Sequence, residues 1–69
     1  MGELVMGTVV AFDERRGLGE IEGPDGARFS FQCTRIADGS RVVTVGAPVT
    51  FRVVAGLLGR WEATDIEKS

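Results

Sequence analysis

The chain has no histidine and no tyrosine, one cysteine and one tryptophan, and Lys68 is its only lysine. Without histidine, a cysteine–histidine nucleophile pair is impossible. A lone cysteine forms no internal disulfide and builds no zinc site, and it suits a reducing cytoplasm. Cys33 therefore reads as a small, half-buried filler rather than a reactive thiol. The carboxylates lack the apolar or paired context that tunes a general acid or base, so the chain is not read as an enzyme, and no cofactor or metal is expected. No apolar run approaches transmembrane length. The opening Met1-Gly2-Glu3-Leu4-Val5-Met6 lacks the cationic stretch and apolar segment of a signal peptide. Neither a membrane partner nor a leader is expected. No segment carries an apolar period of 3.6 residues over helix length, which leaves strands as the main element.

What is present fits one small domain over residues 1–69. A chain of this size buries only about 60% of its unfolded surface, and a single core this small rarely supplies more than about 3–5 kcal/mol. The composition is nonetheless globular, at 43% hydrophobic and 26% charged residues without a low-complexity run. A net charge of −2 and a pI near 4.9 weigh against a broad basic face, although local potential matters more than the total. The cations are almost all arginine, which stacks and makes forked contacts to phosphate.

Apolar and polar residues alternate with period two. Val5–Phe12 reads as a first strand and Gly17–Glu22 as a second. Pro24-Asp25-Gly26 marks a turn, because Pro presets φ and Gly tolerates a positive φ. Arg28–Cys33 is a third strand, with Phe29 and Phe31 facing the core and Ser30 and Gln32 facing out. Thr34–Val45 reads as a loop opening with a single helical turn. Val49, Phe51 and Val53 define a fourth strand. Ala55-Gly56-Leu57-Leu58-Gly59 is a hairpin loop, and Arg60–Glu67 is the fifth strand. Five short strands with Gly-rich connections predict a small closed or nearly closed barrel. Gly17 to Gly23 superficially resembles a dinucleotide-binding glycine loop, but its third Gly is one residue late and no helix follows.

The order and spacing of several short motifs resemble the cold-shock domain along essentially the whole chain. Gly7-Thr8-Val9 and Phe12-Asp13 match that family's opening Gly-Thr-Val-Lys-Trp-Phe-Asn. Arg16-Gly17-Leu18-Gly19-Glu20-Ile21 falls on its first nucleic-acid motif, Lys-Gly-Phe-Gly-Phe-Ile. Phe29-Ser30-Phe31-Gln32-Cys33 falls on the second, and Ile36, Gly46, Val49, Phe51 and Ala63 on later landmarks. The resemblance implies an all-β, five-stranded antiparallel OB-type barrel that binds single-stranded RNA or DNA.

The departures fall on the base-stacking positions. Ala11, Leu18, Glu20, Ser30, Gln32 and Cys33 stand where the family carries its ligand-contacting side chains, and these six are expected to share one outward surface. Core positions Val9, Ile21, Phe29, Phe31, Val49, Phe51 and Ile66 keep their apolar character. Weak or altered binding is expected, through Phe12, Arg15, Arg16, Leu18, Arg28, Ser30 and Gln32, with Arg35 as a further cation. Asp13, Glu14, Glu22 and Asp25 flank these arginines and oppose a strong basic stripe. A second expectation concerns Leu57, Leu58 and Trp61. Either this loop or the former nucleic-acid face forms a contact for a protein partner or a second copy, or the two leucines fold back over a barrel end with Trp61 as a plug.

Overall fold

The computed structural model of the chain describes residues 3–56 and 59–69. Five strands follow one another: β1 (Leu4–Asp13), β2 (Leu18–Glu22), β3 (Arg28–Gln32), β4 (Pro48–Ala55) and β5 (Trp61–Lys68). They close into a barrel in the order β1-β2-β3-β5-β4. A closed ring with an odd number of strands cannot alternate direction throughout, so one neighbouring pair must run parallel. That pair is β3–β5, joined at Ser30 and Glu62. The other four pairings are antiparallel, and a parallel bridge from Ile36 to Ile66 extends the seam.

The core is Val9, Ile21, Phe31, Ile36, Val43, Val49, Phe51, Ala63 and Ile66. Phe29, expected inside, is half-buried and packs against this cluster, with its ring tilted by 55° against Phe51 at 5.3 Å. Val43 was not anticipated. It lies in a segment without regular structure, where no period marks an inward residue.

Strict alternation along β1 breaks once. Val9 pairs with Ile21 but Ala11 pairs with Glu20, so one extra residue is accommodated between them. This bulge puts Val9 and Phe12 on the inner side and leaves Ala11 outside. The ring of Phe12 then stacks on Phe31, with centroids 6.0 Å apart and planes 9° apart. Gly19 lies between their backbones in the ladder, paired to both. A β-carbon there would come within 2.5 Å of Phe31 Cζ and 2.8 Å of the Ala11 carbonyl oxygen. Only glycine fits this close approach.

The helical turn expected after β3 is a 3₁₀ turn over Cys33–Arg35. It takes Cys33 out of the third strand and turns it toward the core, where it is half-buried. The Pro24–Gly26 segment is also 3₁₀-like, with Asp25 as well as Gly26 at positive φ (61° and 75°).

The long connection before β4 is held down at its start. Ala37 N–H donates to the Ile66 carbonyl at 2.8 Å. The Asp38 carboxylate accepts from the Ser40 N–H (2.9 Å) and hydroxyl (2.7 Å), and Lys68 Nζ lies 3.4 Å away. The Ser40 hydrogen bonds, and then Lys68, hold the Asp38 carboxyl below its ordinary value of 3.8.

Candidate functional site

The outer face of β1, β2 and β3 carries a shallow groove of about 380 Å³, lined by Ala11, Phe12, Asp13, Leu18, Gly19, Glu20, Ser30 and Phe31. Ladder register builds it. Ala11, Glu20, Ser30 and Glu62 form one cross-strand row, and Asp13, Leu18 and Gln32 form the next. Both rows point outward because Phe12, Gly19 and Phe31 between them point in.

The floor is apolar. Leu18 is 42% exposed, and the Phe12 ring borders the groove although its stacking on Phe31 commits part of it to the core. Phe12 is thus a partial platform, less free than its place in the sequence implies.

The walls carry acid. Asp13 is occupied, since its Oδ1 accepts the N–H groups of Arg15 (3.1 Å) and Arg16 (3.2 Å). With Gly17 at φ 66° donating to the Asp13 carbonyl, these bonds shape the β1–β2 turn and present both arginines to solvent. Half-buried Glu20 makes no side-chain hydrogen bond or ion pair among the described residues. Glu62 ends the first row but does not line the groove; its carboxylate lies over Gly56.

Of the residues expected to act together, Phe12, Leu18 and Ser30 line the groove. Gln32 borders it, exposed, opposite Leu18. Arg15 and Arg16 stand at one end of the face. Arg28 stands at the other, 3.7 Å from Glu22, in an exposed pair that contributes little. Cys33 is a correction: it packs against the core and leaves the outward surface to the other five positions. Arg35 is exposed in the 3₁₀ turn. Gly19 and Phe31 also line the groove, although Phe31 is expected from its place on β3 to face the core. Trp61 opens β5 and is 60% exposed, so it does not plug the barrel. Leu57 and Leu58 lie outside the described residues.

An all-β barrel of five strands in this order, with a groove on its β1–β2–β3 face, defines a cold-shock-like domain of OB type. Among solved structures, the chain is similar to that of Drosophila Unr CSD456, at a TM-score of 0.80 and 26% identity over 99% of its length. The match takes in 27% of that chain, so the present sequence spans about a quarter of it. No family model matches the sequence, and no curated protein matches it.

Proposed function

We propose that this chain is a single-stranded nucleic-acid-binding module whose affinity is weak and driven mainly by charge. The observation that carries the reading is the groove of about 380 Å³ on the outer β1–β2–β3 face, with arginines at both ends of that face. A base lies flat on Leu18 and the free part of Phe12, the Gln32 amide hydrogen-bonds its edge, and Arg15, Arg16 and Arg28 meet phosphates.

A magnitude sets the affinity class. Base–aromatic stacking contributes about 1–3 kcal/mol per base. Replacing three platforms removes on the order of 4 kcal/mol, or roughly a thousandfold in affinity. Glu20 adds a carboxylate where phosphate would approach. The expected affinity is high-micromolar or weaker. In this reading the module is not an enzyme and works in the cytoplasm, where Cys33 stays reduced. Titration with single-stranded oligonucleotides, followed by NMR at low and moderate salt, tests it. Shifts at Ala11, Leu18 and Ser30 that fade with salt support the reading. Tight, salt-insensitive binding, or no shifts at low salt, overturns it.

A second reading rests on Trp61. A tryptophan 60% exposed at the start of β5 suits an aromatic anchor for a protein partner or a second copy. Sedimentation of the wild type and Trp61→Ala tests the second-copy form. Concentration-dependent association that the substitution abolishes supports it, and a monomer at all concentrations counts against it.

A further inference from the structure

Glu20 is the one carboxylate of the groove that the fold leaves uncommitted. Asp13, the other acid of the lining, is held by two backbone N–H groups. Glu20 is half-buried between Ala11 and Ser30 in the cross-strand row, with no side-chain partner among the described residues. An ionised carboxylate only accepts hydrogen bonds. Whatever lies on the apolar floor must therefore bring a donor to Glu20 or leave a charge unmatched as water is displaced.

The bases differ in what they bring. Cytosine, adenine and guanine carry an exocyclic amino group whose hydrogens point outward, and carboxylates accept from the cytosine amino group. Uracil has a carbonyl at that place. Its imino hydrogen lies between two carbonyl oxygens, which repel an approaching carboxylate. Ser30, beside Glu20, gives either base a hydroxyl and does not discriminate.

We infer that Glu20 is a specificity-determining residue, and that it makes this face prefer the amino-bearing bases, cytosine, adenine and guanine, over uracil. The inference rests on the nucleic-acid reading above and adds a base preference to it. Hydrogen bonds to a charged group are the stronger kind, and partial exposure weakens this one.

The test is an NMR titration at low salt with two RNA hexamers, oligo-cytidine and oligo-uridine, against wild type and Glu20→Gln. The expected result is that wild type binds the cytidine hexamer about fivefold to tenfold more tightly than the uridine hexamer. In Glu20→Gln the ratio should fall to about one, because the amide can also donate to the uracil carbonyl. Removing the charge should strengthen binding of both hexamers, so the ratio is the diagnostic quantity. Equal binding of both by wild type, or a ratio that Glu20→Gln leaves unchanged, overturns the base preference and leaves the nucleic-acid reading standing. Binding of neither hexamer overturns both.

Discussion

Gly19 holds two aromatic rings in register by having no side chain. Its neighbours across the ladders are Phe12 and Phe31, whose rings stack at 6.0 Å. A methyl group would meet both the Phe31 ring and the Ala11 backbone, and backbone does not move aside cheaply. Overpacking of this kind costs about 1–3 kcal/mol, set against a total of about 3–5 kcal/mol for a domain this small. Gly19→Ala should therefore lower the urea midpoint sharply, and an unchanged midpoint would refute the packing argument. A second residue-scale outcome concerns pH. The folded state holds the Asp38 carboxyl below 3.8, through Ser40 and Lys68. A depressed folded value means that the contribution is complete above the unfolded-state value and fades as pH falls through the lower, folded one. Hydrogen exchange at the Ser40 amide should quicken in acid below that ordinary value. It should be indifferent to pH there in Asp38→Asn, once the intrinsic rate is allowed for.

At the scale of elements, β2 and its two neighbours separate barrel from ligand face. Inward Ile21 and Phe31 hold the core, while outward Leu18 and Glu20 line the groove. Putting rings back should restore stacking without disturbing the barrel. Leu18→Phe with Glu20→Phe is expected to raise single-strand affinity on the order of a hundredfold, at about 1–3 kcal/mol per ring. A titration showing less than a threefold gain would mean that bases do not lie on this face. The alternation of Phe29 and Phe31 with Ser30 and Gln32 made β3 and its two faces legible from the residues alone. The same rule failed on β1, because a bulge adds one residue without any marker and reverses the parity after Val9. That reversal is why Phe12 leans on Phe31 and offers only part of its ring. Val43 and Cys33 escaped for a related reason. Each lies where the chain has left the ladder, so period two no longer says which way a side chain points.

For the whole molecule, charge fixes the class of interaction. A net charge of −2 repels a polyanion at long range, so any binding depends on a local arrangement of cations. Arg15 and Arg16 are placed by the Asp13 turn, whose carboxylate sits beneath them. Arg28 is shared with Glu22, and phosphate must compete for it. Each phosphate neutralised on a single strand contributes about −0.7 to the slope of log affinity against log salt. Three arginines then set a limiting slope of about −2. Arg15→Ala with Arg16→Ala should cut that slope to about −0.7, leaving the Arg28 contact alone. Neither arginine belongs to the core, so the thermal midpoint of the double variant should match that of the wild type. Affinities measured at several salt concentrations decide the matter. A slope that keeps its wild-type value in the double variant would place the phosphate contacts elsewhere on the barrel and remove the β1–β2 turn from the binding surface.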